Sequence, residues 1–198
     1  MENVVSTLAG RTLAERHEAY ATEIRTLLDA ALTVMRRDET IEPRVSDIVR
    51  TAGLSNQAFY RHFRGKDELL VALLDDGRRR LLATIERRMA RADGTTDQVR
   101  AWVEVVLAQA RDPEAAAATR PFALNGDRLA VQFPAETQGS RDRLIEPLRD
   151  LVGEPAALAI YHVAMGMVRD ALVERRTPTR AEVDAVVEFA LKGAGLGT

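Results

Sequence analysis

The chain has 198 residues and a formal net charge of −2, with 46% hydrophobic and 29% charged residues. This length allows one large domain or two small ones, and the composition is typical of a globular protein. Because the chain has no cysteine, disulfides and thiolate metal sites are excluded, and we expect a cytoplasmic location. We also expect no apolar run as long as the ~20 residues of a membrane span, and no signal peptide in the first twelve residues.

The spacing of apolar residues predicts helices nearly throughout, and the alternating pattern of strands is absent. A first helix is expected from about Leu13 to Arg37, because Thr12 and Glu15 have the spacing of a capping box. The preceding residues, 1–12, are expected to form a disordered arm that carries Arg11, a possible minor-groove contact.

Residues 44–66 are the most informative segment. Two short helices are expected at about 45–51 and 55–62, with a turn at Gly53 between them, and a long helix begins at Lys66. The segment contains five basic residues and one acidic residue, so its local charge is +4 in a mildly acidic chain. This combination is typical of a helix-turn-helix that binds DNA.

The second short helix has an apolar and a polar side. Phe59 and Phe63, four residues apart, are expected to face the core. Polar side chains then remain on or near the outer face, namely Asn56, Gln57, Tyr60 and Arg61. Asn and Gln can bind adenine, Arg can bind guanine, and a tyrosine hydroxyl can reach a phosphate.

The remainder of the chain predicts a helical body, giving about nine helices in total and an all-α fold. The expected helices lie at about 66–89, 97–111, from 113 onward, 141–152, 154–176 and 180–192. Capping signatures are present at Thr95–Gln98 and Thr179–Glu182. Pro121 is expected to disturb its helix, and residues 125–139 have no clear prediction.

The segment is similar to the DNA-binding domain of the TetR family of bacterial transcriptional regulators. The resemblance covers roughly residues 20–75 and is carried by three stretches: Ala52-Gly53-Leu54-Ser55, Phe59-Tyr60-Arg61-His62-Phe63 and Gly65-Lys66-Asp67-Glu68-Leu69-Leu70. It implies a helix-turn-helix head in residues 1–66, with the arm at 1–12, and a ligand-binding and dimerising body in residues 67–198. The implied protein is a homodimeric repressor that a small ligand releases from a near-palindromic operator.

Nine residues are predicted to contact DNA. They are Arg44, Ser55, Asn56, Gln57, Ala58, Tyr60, Arg61, His62 and Lys66. We assign base reading to Asn56, Gln57 and Arg61, and a thymine-methyl contact to Ala58. The backbone contacts are assigned to Arg44, Ser55, Tyr60 and Lys66. The role of His62 is left open, because a histidine at a helix end is more often a capping or packing residue than a base reader.

The body is expected to hold an apolar or aromatic effector. The predicted pocket residues are Trp102, Val106, Phe122, Phe133, Tyr161, His162 and Met165, although each of them is also compatible with ordinary core packing. The dimer is expected through the apolar residues of the last two helices, with an intramolecular core as the alternative. Those residues are Ala157, Ile160, Tyr161, Ala164, Val168, Ala171, Leu172, Val183, Val186, Val187 and Ala190.

Two other classes of function are less compatible with the sequence. An enzyme is not expected, because His17, His62 and His162 fall in separate helices without metal-ligand spacing, and no phosphate-binding loop or cysteine nucleophile is present. No metal or cofactor is expected either. The second alternative is a helical sensing or interaction module that does not bind specific DNA, against which the +4 segment argues.

Overall fold

The computed structural model describes residues 4–38, 40 and 42–196, and for residues 4–10, 12 and 13 it describes the backbone alone. Nine α-helices and no strands lie within these ranges, which confirms the predicted all-α class. The helices are α1 (Val4–Arg37), α2 (Val45–Ala52), α3 (Asn56–His62), α4 (Lys66–Met89), α5 (Gly94–Arg111), α6 (Pro113–Gln132), α7 (Pro134–Val152), α8 (Glu154–Val173) and α9 (Arg180–Gly193).

The chain divides into two compact units, Met1–Leu69 and Leu70–Thr198, with the division inside α4. In the first unit, α1 packs against α2 and α3. The side chains with no exposed surface there come from all three helices, and include Leu27, Val34, Ile48 and Phe59. Burial of these apolar groups fixes the orientation of α3 on the other two helices.

In the second unit, α5 packs against α6, α7, α8 and α9. Its inner face is fully buried and includes Trp102, Val103 and Val106. The indole Nε1 of Trp102 donates a hydrogen bond to the carbonyl of Leu144 in α7 at 3.1 Å, so this buried polar group has a partner.

Some helix boundaries were predicted by local capping signals and others were not. Asp112 caps α6 by accepting from the Ala115 amide at 2.8 Å, with Pro113 at the first helical position. At α9 the predicted capping box is present, because Thr179 Oγ1 accepts from the Glu182 amide at 3.2 Å while Glu182 Oε2 accepts from the Thr179 amide at 2.7 Å.

Three expectations about the helices are corrected, and one segment without a prediction is assigned. The first helix already begins at Val4, so most of the expected arm is helical and Thr12 lies inside the helix. The helix expected from Asp97 begins at Gly94, immediately after Asp93 in the N-cap position. Pro121 is buried within α6, which continues to Gln132. Residues 125–139, which had no prediction, are helical except at Phe133, where α7 restarts with a proline.

The apolar residues assigned to the dimer interface are instead part of the core of a single chain. All eleven residues, from Ala157 to Ala190, belong to the buried cluster of the second unit. The intramolecular alternative is therefore the one that the structure supports for these residues. Sequence periodicity identifies an apolar face, but it cannot say whether that face packs within one chain or between two.

Among the described residues, α8 is the one helix long and apolar enough to cross a membrane by length and composition. This corrects the expectation that no run is long enough. Seven of its residues are buried in the core of the second unit, so we interpret it as an internal helix of that unit.

Candidate nucleic-acid interface

The turn between α2 and α3 depends on a left-handed glycine. Gly53 has φ 66° and ψ 25°, a conformation that L-residues with a Cβ rarely adopt. The amide of Leu54 donates to the carbonyl of Val49 at 2.9 Å, and the amide of Gly53 donates to the carbonyl of Arg50 at 3.3 Å. These two bonds terminate α2 at Ala52, and α3 begins four residues later at Asn56.

The start and orientation of α3 are fixed by one polar and two apolar side chains. Ser55 is extended, and its Oγ accepts from the Ala58 amide at 3.1 Å, as expected for an N-cap residue. Phe59 and Phe63 are buried, with their ring centroids 5.5 Å apart. Because these rings anchor one side of α3 in the core, the opposite side is held toward solvent.

The exposed side of α3 presents four polar side chains, Asn56, Gln57, Tyr60 and Arg61. Tyr60 is 60% exposed, although its ring edge contacts Phe59 with centroids 5.2 Å apart. The face therefore combines amide, hydroxyl and guanidinium groups, which can donate hydrogen bonds to base edges and phosphates.

The structure does not place Ala58 or His62 on this face. Ala58 is 5% exposed, and the His62 side chain is 2% exposed. Neither group can reach a base edge without unpacking the unit, so the thymine-methyl contact assigned to Ala58 is withdrawn. His62 takes the packing role that its place at a helix end also allowed.

A carboxylate on α1 holds both basic residues at the end of α3. Glu23 Oε2 lies 2.8 Å from Nη2 of Arg61 and 2.7 Å from Nε2 of His62. Tyr20 completes the group, because its ring lies edge-to-face with His62 at 5.0 Å and 5.7 Å from the Arg61 guanidinium carbon. The hydrogen bond from His62, together with Arg61, lowers the pKa of Glu23, so this carboxylate is ionised near neutral pH.

Sequence reasoning missed Glu23 and Tyr20. Glu23 is 38 residues before Arg61 and 39 before His62, so no local spacing pattern could have connected them. The consequence for the interface is specific: Arg61, a predicted base reader, already has an acidic partner within the unit.

The basic residues of the segment 44–66 differ in their availability. Arg50 is paired with Asp47 at 2.5 Å, as Arg61 is with Glu23. Within the described part of the chain, Arg44, Arg64 and Lys66 have no intramolecular ion pair. These three cations are therefore the ones free to neutralise phosphates.

The predicted ligand-pocket residues have different environments in the second unit. Trp102 and Val106 are fully buried, and Tyr161 is 6% exposed. Phe122, Phe133 and Met165 are partly buried. His162 lies on the exposed side of α8, which argues against its lining an internal pocket and corrects that prediction.

Among the residues that the structure describes, no group of three or more His, Cys, Asp or Glu side chains could hold a metal ion. The chemical specialisation of the first unit lies in the exposed, polar and basic face of α3.

Comparison with known proteins agrees with this geometry. Residues 27–73 match the family model described as bacterial regulatory proteins, tetR family. No curated protein matches the chain in a sequence search.

Three solved structures share the fold. The putative transcriptional regulator SCO7518 from Streptomyces coelicolor A3(2) has a TM-score of 0.68 at 16% identity, over 87% of this chain and 98% of that one. FadR from Bacillus halodurans, a regulator of fatty acid degradation, has a TM-score of 0.65 at 18% identity over 85% and 94% of the two chains. FadR from Bacillus subtilis, solved with stearoyl-CoA, has a TM-score of 0.65 at 15% identity over 85% and 98%.

Proposed function

We propose that this chain, whose residues 27–73 match the family model described as bacterial regulatory proteins, tetR family, represses transcription as a homodimer on a near-palindromic operator. We infer that it is a DNA-binding transcriptional regulator rather than an enzyme. The observation that carries the proposal is the exposed face of α3, where amide, hydroxyl and guanidinium groups lie together in a segment that also carries three cations without an ion pair. A protein that regulates bacterial genes meets its DNA in the cytoplasm, where we place it.

Base readout is assigned to Asn56, Gln57 and Arg61, which are exposed on α3. Because Arg61 is paired with Glu23, this ion pair must break before Arg61 can bind a base. The phosphate backbone is assigned to the four residues that the sequence predicted, Arg44, Ser55, Tyr60 and Lys66. We add Arg64, because it is exposed and has no ion pair.

The first experiment is selection of bound sequences from a random duplex pool, followed by salt titration of the selected site. A dimer with two α3 helices in successive major grooves selects half-sites about one helical turn apart, and its affinity falls steeply with salt. A folded dimer that enriches no sequence would contradict the proposal, and would favour the alternative of a sensing module without specific DNA binding.

Two substitutions separate the two kinds of contact. Lys66→Ala removes an unpaired cation, so all sequences are bound more weakly. The slope of log affinity against log salt becomes shallower by about one unit. Gln57→Ala costs ~1–3 kcal/mol on the selected site and relaxes discrimination at one position. Arg111→Ala is the control, since it removes an exposed cation from the second unit. Parent-like binding of both head variants would refute the assigned face.

For the dimer, we propose the exposed sides of α8 and α9. They present small and apolar residues, including Ala159, Val163, Ala185 and Phe189, of which Val163 and Phe189 are 37% and 51% exposed. Two such helices from each chain can form a four-helix interface. Val163→Arg is expected to shift the protein toward monomer in analytical ultracentrifugation. Val131→Arg, at a residue that is 84% exposed on α6, is the matched control and leaves the dimer intact.

For the effector, we propose an apolar or aromatic small molecule that binds the second unit and weakens operator binding. The partly buried aromatic and thioether groups of that unit suit such a ligand. A ligand that distinguishes two states by ~1–3 kcal/mol changes operator affinity by roughly 5–150-fold. The neighbour from Bacillus subtilis, which was solved with stearoyl-CoA, is consistent with an amphipathic ligand in this fold.

A further inference from the structure

One arginine of the second unit, Arg78, donates a hydrogen bond to a carbonyl that already has a partner within its own helix. Nη1 of Arg78, on α4, donates to the carbonyl of Thr137 at 3.1 Å in a partly buried position. Thr137 lies within α7, so helix geometry already supplies its carbonyl with the amide four residues later. The arginine therefore adds little to the stability of α7.

No described carboxylate forms an ion pair with Arg78, although the nearby charge of Asp75 acts on it. Asp75, one turn earlier on α4, is held by Arg79 at 3.0 Å and by Arg143. Burial lowers the pKa of Arg78, although a guanidinium stays charged at neutral pH. Asp75 is thus shared among three arginines, so the charge of Arg78 is only partly compensated, which is costly for a partly buried cation.

A second polar group nearby is also unsatisfied. Ser140 is 2% exposed, and its buried Oγ has no hydrogen-bond partner in the structure, not even the carbonyl four residues earlier that helical serines commonly use. Ser140 follows Thr137 by three residues and so lies on the same face of α7. Unsatisfied buried hydroxyls are rare in native proteins and point to a missing partner.

The third group is the hydroxyl of Tyr161 on α8. Burial raises its pKa, while Arg78 and Arg141 oppose this rise, so the hydroxyl is protonated at neutral pH and can donate. The Tyr161 ring lies 6.5 Å from the Trp102 ring, centroid to centroid. The Tyr161 hydroxyl thus belongs to a side chain that lies beside the apolar Trp102 ring.

We propose that Arg78, Ser140 and Tyr161 bind the carboxylate of an amphipathic effector whose apolar part contacts Trp102. One unpaired cation matches one negative charge, and two hydroxyl donors complete the recognition of a carboxylate. The proposal rests on the proposed regulatory function and specifies the chemical class of its effector.

The direct test compares acids with alcohols of the same skeleton: decanoate with decanol, and phenylbutyrate with phenylbutanol. Trp102 is the sole tryptophan of the chain, so its fluorescence reports binding at the site. At least one acid is expected to bind roughly 10- to 100-fold more tightly than its alcohol, because a hydrogen bond to a charged group is lost in the alcohol. Arg78→Met removes this preference. Equal binding of acid and alcohol, no saturable response to either acid, or an unchanged preference in Arg78→Met overturns the proposal.

A ligand-free measurement distinguishes a binding arginine from a structural one. Arg120 donates Nε to the carbonyl of Leu172 at 2.9 Å, in the last turn of α8 where carbonyls lack helical partners. Arg120→Met is therefore expected to lower the melting temperature. Arg78→Met is expected to raise it, since it removes a partly buried charge that is only partly compensated. If both variants lower it equally, Arg78 is structural and the proposal fails.

Failure of this proposal is distinguishable from failure of the proposed function. Operator selection uses no effector, so a protein that binds a palindromic operator but does not prefer acids remains a regulator with a neutral ligand. Arg78→Met without ligand should bind that operator as the parent does.

Discussion

The pairing between Glu23 and Arg61 predicts that the protein restrains its own affinity for DNA. Glu23→Gln keeps the shape of the side chain and leaves an amide oxygen that can still accept from His62, but it removes the charge that holds Arg61 at 2.8 Å. The freed guanidinium becomes one more cation available to a phosphate or a base.

The size of the effect follows from counterion release. One additional phosphate contact makes the slope of log affinity against log salt more negative by ~0.9. Over a fourfold rise in salt, the variant therefore loses roughly 3.5-fold more affinity than the parent does. At low salt, the variant binds both the selected operator and random duplex more tightly than the parent.

Fluorescence anisotropy with labelled duplexes at four salt concentrations measures this slope. Glu174→Gln is the matched control, because Glu174 forms a comparable exposed pair with Arg176 at 2.8 Å in the second unit. Adding Arg61→Ala to Glu23→Gln should cancel the gain. A Glu23→Gln protein with the slope of the parent, or a control with the same change, would refute the reasoning.

Three further outcomes concern stability and are measured by thermal or urea unfolding. Gly53→Ala should lower the free energy of unfolding by about 1–2 kcal/mol. No atom lies within 4 Å of the added Cβ, so the cost comes from the positive φ alone. Gly77→Ala, inside α4 and equally uncrowded, should instead raise the free energy of unfolding by about 0.5–1 kcal/mol. Ser55→Ala should cost about 1 kcal/mol through loss of the α3 cap, with a neutral result showing that the cap is dispensable. Hydrogen bonds from the backbone and side chain of Thr179 lower the pKa of Glu182, so the stabilisation by this carboxylate is present above its ordinary pKa of 4.5 and lost as pH falls. The loss of stability in Glu182→Gln relative to the parent should therefore shrink in acid. A loss that stays constant with pH would contradict this.

Local chemistry determined the predictable part of this protein. The turn at Gly53, the caps at Ser55 and Thr179, and the apolar side of α3 depend on residues within four positions of one another, and all are present in the structure. The same local signals misled at Thr12 and Thr95, where the helices begin earlier. A capping signature shows where a helix can begin, but not that a longer helix is excluded.

The tertiary structure decided which side chains are available. Sequence spacing placed Arg61 near the outer face and left His62 open between a DNA contact and a packing role, whereas Glu23 on a distant helix binds both and His62 is buried. Likewise, the apolar residues of α8 and α9 fitted either a dimer or a core until their packing against α5 was known. The sequence alone determined helical periodicity and local charge, because both act over a few residues. The pairing of faces and charges is set by contacts between residues far apart in the chain, which only the folded chain brings together.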